Sequence, residues 1–94
     1  QQLPDVPTVA ESGLPDYDLT NWFGLVAPAA TPKPLLDKLN ADVVRVIAAP
    51  EFRSRINDMS ATVVGNTQEQ FAATMKADSA KWARVIRDTG LKAD

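Results

Sequence analysis

The amino-acid sequence predicts an α/β fold, because two segments of strand character alternate with segments of helical periodicity. Residues 17–26 are rich in the aromatic and branched residues that strands favour, and residues 61–64 form a second, shorter run of this kind. Apolar residues recur at helical spacing over 33–48 and 50–59, and again after Thr67. The resulting order of connector, strand, helix, helix, strand and helix is typical of α/β proteins.

The chain begins with a long connector. Leu3–Pro34 contains six of the seven prolines. Within it, Thr8 and Glu11 have the spacing of a capping box, which predicts one short helical turn over residues 8–12 that Gly13 ends. Because a compact domain rarely spends a third of its length on a connector, we expect the chain to be part of something larger.

The first predicted strand, residues 17–26, has an alternating pattern. Trp22 and Gly24 would lie on one face, and Asn21 and Phe23 on the other. Both faces become apolar toward the end of the strand, which predicts burial on both sides, as in an α/β sheet. Two strands are too few for a stable sheet. We therefore expect partner strands from another part of the polypeptide or another copy, and self-association of this chain through its open strand edges.

Local signals predict where the helices begin. Thr31 is expected to cap the first helix, with Pro32 at its first position, where a missing N–H costs nothing. Pro50 begins the second helix. Thr67 and Gln70 form another capping box, which begins a long third helix.

Further signals predict an ion pair in the second helix, the end of the third helix and the buried face of each helix. Glu51 and Arg55 form a favourable i,i+4 pair in the second helix, and Gly90 is a natural C-terminal stop for the third. The predicted buried faces consist of Leu36, Leu39, Val43, Val46 and Ile47, then Phe52, Ile56 and Met59, then Phe71, Met75, Trp82, Val85 and Ile86.

The composition argues against several classes of function. The net charge is −2 without a basic block, so nucleic-acid binding by phosphate neutralisation has little support. No apolar run approaches the roughly 18 residues that span a bilayer. The sequence has no cysteine and no histidine, which removes thiolate chemistry, the Ser-His triad and the commonest zinc ligands.

Catalytic and metal sites are not predicted. The serines have no histidine partner and no nucleophile-elbow motif, and the lysines fall on predicted solvent faces or chain ends. Asp16 and Asp18 form a D-x-D pair that could touch a divalent cation, but nothing nearby completes a coordination shell. We therefore predict no catalytic residue, no metal and no cofactor.

The candidate ligand-binding residues are Asn21, Trp22 and Phe23. An amide beside two aromatic rings, followed by Gly24, which allows close approach, could line a cleft. The alternative is that Trp22 and Phe23 are simply part of the hydrophobic core.

Two motifs resemble one known family. Leu3–Gly13 reads LPDVPTVAESG and Trp22–Pro28 reads WFGLVAP. Together with Thr31–Pro34, the Gly65–Thr67 turn and the end of the third helix, they closely resemble the receptors of tripartite tricarboxylate transporters. These are the TctC-like, Bug-type extracytoplasmic solute-binding proteins. The resemblance covers essentially all 94 residues.

The resemblance implies a fold and a function. Family members have two α/β lobes of the type II periplasmic-binding-protein kind, which close on a small carboxylate-bearing solute and deliver it to membrane transporter subunits. This chain would be the C-terminal third of such a periplasmic protein. Residues 1–16 would end the second lobe, residues 17–27 would form a hinge-crossing strand, and residues 28–94 would complete the first lobe. Asn21, Trp22 and Phe23 match a hinge-proximal part of the family pattern.

Two other readings stay open from the sequence. The same piece could be a free-standing α/β oligomeric interaction module without a transport role, and an enzyme is a distant third. For the receptor, the family's glycine-rich ligand-gripping loops are absent from this chain. We therefore expect the 94 residues alone not to bind solute with useful affinity.

Overall fold

The computed structural model describes residues 3–93, and within this range the chain forms three helices. Helix α1 spans Lys33–Ile47, α2 spans Pro50–Asp58 and α3 spans Gln68–Thr89. Each helix lies where the apolar periodicity predicts it, to within a residue or two at its ends. Residues 3–32 form turns and extended chain.

The two predicted strands, residues 17–26 and 61–64, do not form, since residues 3–93 contain no strand. A strand exists through the hydrogen bonds that it makes to a neighbouring strand. The two segments do not pair with each other, and no other extended segment of the described chain pairs with them. The predicted α/β fold is therefore wrong for this stretch of chain taken alone, which is all-α.

The capping boxes are confirmed. The Thr67 hydroxyl accepts from the Gln70 amide at 3.1 Å, and the Gln70 side chain accepts from the Thr67 amide at 3.0 Å. Thr8 and Glu11 make the same reciprocal pair at 3.1 and 3.3 Å. Gly90 ends α3 in the left-handed conformation, with φ of 66°, which a glycine adopts without steric cost.

The start of α1 differs from the prediction. Pro32, and not Thr31, is the N-cap residue, and no side chain caps this helix. The Pro32 carbonyl accepts from the amides of Leu35 and Leu36, both at 3.1 Å, so the cap lies one residue later than expected, while the helix begins at Lys33. Pro34 then lies in the first turn, where its missing N–H would have no intrahelical partner in any case.

Polar contacts join α1 to the start of α3. Gln68 Nε2 donates to Asp37 Oδ1 at 2.8 Å, and Asn40 Nδ2 donates to the Asn66 carbonyl at 3.3 Å. Gly65 has φ of +61°, and a β-carbon at this position would lie 3.3 Å from Ile47 Cδ1. The turn between α2 and α3 thus needs glycine for its backbone conformation, and it approaches the last turn of α1 closely.

Asp37 accepts from two donors at this junction. Lys33 Nζ lies 3.0 Å from Asp37 Oδ1, the same oxygen that accepts from Gln68. The hydrogen bond from Lys33, followed by that from Gln68, lowers the pKa of the Asp37 carboxyl. The hydrogen bond to Asp37 and the attraction of its charge raise the pKa of Lys33 in turn. The Glu51–Arg55 pair of α2, also predicted, is confirmed at 3.2 Å on the exposed surface.

Residues 18–27, called the extended segment below, lie against α3. The Trp22 ring meets the Phe71 ring edge-on, with centroids 5.1 Å apart and an interplanar angle of 85°. Gly24 passes over the end of the same ring, where an added β-carbon would overlap Phe71 Cζ. Two residues of the extended segment, Trp22 and Gly24, therefore lie against Phe71 of α3.

The predicted buried faces are only partly covered, because no residue in 3–93 is buried. Among the large apolar side chains predicted to be buried, Trp82 is 39% exposed and Met59 is 74% exposed. The accessible surface is 8435 Å², whereas a compact monomer of this mass has about 5,300 Å². The chain thus exposes roughly 3,100 Å² more than a self-contained domain would.

The dimensions agree with the exposed surface. The radius of gyration is 17.0 Å, compared with about 12 Å for a compact domain of this length. None of the helices formed by residues 3–93 is long and apolar enough to cross a membrane. The helices therefore present apolar faces that the described chain does not cover.

We expect the Asp37 carboxyl to titrate below its ordinary pKa of 3.8. Lys33→Met and Gln68→Ala each remove one donor, so each should raise this pKa toward 3.8, and Lys33→Met should raise it more. Because the pKa is lower in the folded chain, the stabilisation is present above the unfolded value and is lost as pH falls through the folded value.

An NMR titration of the side-chain carboxyl measures this pKa, with Lys38→Met on the same helix as the control. A pKa at or above the ordinary value, or one that neither substitution moves, would contradict the described junction.

We expect Gly24→Val to separate the extended segment from α3, because its β-carbon would overlap the Phe71 ring. Losing the edge-to-face contact of Trp22 with Phe71 should cost about 0.5–1.5 kcal/mol of docking free energy. In a Trp82→Phe background, the fluorescence of Trp22 should shift to longer wavelength. The control is Ala27→Val, an exposed position of the same segment, and an equal shift in both variants would count against the contact.

Candidate functional site

An open groove runs between the extended segment and α3. Its volume is about 460 Å³. Side chains from both sides line it: Thr20, Asn21, Trp22, Met75, Asp78, Ser79 and Trp82.

The helix side of the groove is a single stripe. Met75, Asp78, Ser79 and Trp82 are spaced i, i+3, i+4 and i+7, so they share one face of α3. Asp78 and Ser79 place polar groups in the middle of this face, between a thioether and an indole. The stripe thus offers both apolar area and hydrogen-bonding groups.

Two further contacts fix the other side of the groove. Trp22 Nε1 donates to Asp78 Oδ2 at 2.5 Å, so the indole is held at its polar edge by Asp78 and at its ring by Phe71. Lys81 Nζ donates to the Asp18 carbonyl. The extended segment is therefore attached to α3 by two hydrogen bonds from side chains and by one aromatic contact.

The charge in the groove is negative. Asp78 is the only charged side chain that lines it among residues 3–93. Lys81 lies nearby, but its ammonium group already contacts the Asp18 carbonyl and lies 5.6 Å from the centre of the Trp82 ring. A carboxylate placed in this groove would face Asp78 without a cation to pair with, which is unfavourable.

The predicted ligand-binding residues do not all lie together. Asn21 and Trp22 line the groove. Phe23 does not, and its side chain is fully exposed. Trp22 and Gly24 lie toward α3 while Phe23, between them, is exposed, so these three residues alternate as in an extended backbone. The alternation does not extend to Asn21, which lines the groove together with Trp22.

Sequence reasoning did not assign the α3 side of the groove to a site. Met75 and Trp82 were expected in the core, and Asp78 and Ser79 were not singled out. A signal was available, since Asp78 and Ser79 interrupt an apolar stripe at helical spacing. A polar pair inside such a stripe indicates that the helix face meets something other than pure core.

The D-x-D pair of the connector has separate local roles. Asp18 Oδ1 accepts from the Thr20 hydroxyl at 2.8 Å. Asp16 lines a small depression of about 230 Å³ with Leu14, Pro15 and Tyr17, all from one stretch of chain. Within residues 3–93, no three acidic side chains come together in a group that could hold a metal ion.

Comparison with known proteins gives the family. The profile described as "Tripartite tricarboxylate transporter family receptor" matches residues 1–91. A UPF0065 protein in the tcbD-tcbE intergenic region of a Pseudomonas species is 34% identical over 94 residues, covering 99% of this chain and 28% of the relative. A UPF0065 protein of Agrobacterium vitis is 35% identical over 91 residues, covering 94% and 26%. Protein BugT of Bordetella pertussis is 30% identical over 90 residues, covering 96% and 28%.

The chain spans between a quarter and a third of the length of these curated relatives. No solved structure matches it significantly. The profile covers nearly the whole sequence, and it includes both motifs on which the resemblance depends. The chain therefore belongs to the tripartite tricarboxylate transporter receptor family.

Proposed function

We propose that this chain is part of an extracytoplasmic solute receptor that serves a tripartite tricarboxylate-type transporter. The observation that carries the proposal is the family match over residues 1–91. The complete receptor binds a small carboxylate-bearing solute in a cleft between two lobes. It works in the periplasm and passes the solute to membrane transporter subunits.

In this proposal each part of the chain has a place in the receptor. Residues 1–16 end the second lobe, residues 17–27 cross the hinge, and residues 28–94 complete the first lobe. The uncovered surface supports this arrangement, since an excess of roughly 3,100 Å² requires other structure to pack against it. Leu25 and Val26, 78% and 80% exposed, would be covered at the crossing.

The groove suggests how this part of the receptor contributes to binding. Asn21 and Trp22 would contact the uncharged part of the solute, because the nearby Asp78 disfavours a carboxylate at this point. The cations or amide groups that hold the carboxylate would then come from parts of the receptor outside this chain. Phe23 would instead pack against the rest of the protein.

A second candidate function has one observation in its favour. The large exposed apolar surface would also suit a free-standing interaction module that is stable only as an oligomer. The two functions differ in what covers the surface: other parts of one receptor polypeptide, or further copies of this chain.

Isothermal titration calorimetry tests the proposal. The full-length receptor should bind at least one of citrate, succinate or benzoate with micromolar affinity, about −8 kcal/mol. The 94-residue chain alone should show no binding heat, because it lacks the opposite wall of the cleft. Micromolar binding of a dicarboxylate by the isolated chain would overturn the cleft account. Failure of a wide panel of carboxylates to bind the full-length protein would overturn the receptor assignment.

We expect Asn21→Ala to weaken solute binding in the full-length receptor. Losing one hydrogen bond in a closed cleft costs about 1–3 kcal/mol, which is a five- to 150-fold rise in Kd. The matched control is Asn57→Ala, an exposed asparagine of α2, which should leave Kd unchanged. Equal Kd values for wild type and Asn21→Ala would show that Asn21 does not contribute to solute binding.

A further inference from the structure

Asp78 is a half-buried carboxylate that takes part in no ion pair of the described chain. It is the only charged side chain of α3 that is not exposed. None of the ion pairs that residues 3–93 form involves it, and Lys81, the next basic residue of the helix, donates to the Asp18 carbonyl instead. A carboxylate that is partly removed from water needs hydrogen bonds to offset the cost.

Only one of the two carboxylate oxygens of Asp78 has a partner in the described chain. Its Oδ2 accepts from the Trp22 indole at 2.5 Å, and no hydrogen bond within residues 3–93 reaches its Oδ1. The side chains of Asn21 and Ser79, which line the same groove, likewise form no hydrogen bond among the described residues. The groove thus offers a carboxylate oxygen, a hydroxyl and an amide with free hydrogen-bonding capacity.

These free groups define which end of a solute the groove can hold. An ionised carboxylate oxygen only accepts, whereas the Ser79 hydroxyl and the Asn21 amide can donate. A primary amide or a hydroxyl both donates and accepts, so it satisfies both kinds of group. A second carboxylate would bring a like charge to Asp78, and an ester would leave Oδ1 without a donor once water is excluded. An ammonium group only donates, so it would leave the donors of Ser79 and Asn21 unpaired.

We propose that Asp78 is a specificity-determining residue of the receptor, whose Oδ1 accepts a hydrogen bond from an amide or hydroxyl at the end of the solute remote from its carboxylate. The receptor thereby selects monocarboxylates that carry such a group over dicarboxylates. Trp22, held through Oδ2, and Trp82 line the groove and cover the carbon skeleton of the solute. This inference rests on the proposed function, since only the complete cleft excludes water around the solute.

Isothermal titration calorimetry on the full-length receptor tests the selection with two sets of solutes, built on succinate and on benzene-1,4-dicarboxylate. Within each set one carboxylate is constant, and the other is either kept or replaced by a primary amide, a methyl ester or an aminomethyl group. In a set that binds, the amide should bind at least about tenfold more tightly than the diacid and the ester, because it makes one more hydrogen bond to a charged group. Equal or tighter binding of the diacid or the ester, or tighter binding of the amine, would overturn the proposal.

Asp78→Asn separates the charge of this residue from its contact with Trp22. The new side-chain oxygen can still accept from the indole, while the new amide can donate to a carboxylate. The preference for the amide over the diacid should fall to about threefold or less. The matched control is Asp88→Asn, an exposed position of the same helix, which should keep the wild-type preference. An unchanged preference in Asp78→Asn would overturn the proposal, and the wild-type ranking of solutes decides the matter if this variant does not fold.

The result is distinguishable from a failure of the proposed function. A full-length protein that binds none of a wide panel of carboxylates would remove the receptor assignment, and this inference with it. A full-length protein that binds carboxylates, but only those without an amide or hydroxyl remote from the carboxylate, would keep the receptor assignment and overturn this inference alone.

Discussion

The rest of the structure depends on one constraint: the described chain has too few secondary-structure elements to cover its own apolar faces. Three helices and one extended segment carry apolar faces, and within residues 3–93 they do not bury a single residue. Burying apolar surface is the main favourable term in folding, so a chain with this much exposed surface has little to offset its conformational entropy. The helices are nevertheless well delimited, because their ends are set by local hydrogen bonds. The described chain therefore has defined elements without a core that would hold them together.

The proposed binding residues depend on the contact of the extended segment with α3. Phe71, Trp22 and Gly24 bring the two elements together, and the Trp22–Asp78 hydrogen bond fixes the indole beside the groove. In the same arrangement Phe23 points away from the groove and is fully exposed. One short segment thus lines the groove, packs on α3 and exposes Phe23 on its other side.

The features that were predictable from the sequence depend on neighbours within a few residues. The Thr67–Gln70 capping box and the Gly90 stop need only each helix's own backbone, and both predictions are confirmed. The strands were not predictable in the same way, because residues 17–26 have the right composition but find no partner in the described chain. The groove was predictable only in part. Of the three residues predicted for it, Asn21 and Trp22 line the groove and Phe23 does not. Asp78, which also lines the groove, comes from α3, 56 residues beyond Trp22. No local pattern specifies such a distant contact.

The central claim is that this chain depends on further structure to cover its apolar surface. Thermal and urea unfolding of the isolated 94-residue chain, followed by circular dichroism at 222 nm, tests it most directly. The account predicts a broad transition without two-state character, and a free energy of unfolding well below the roughly 5–15 kcal/mol of ordinary domains. A monomeric chain that unfolds in one sharp cooperative transition, with a free energy inside that range, would contradict the account.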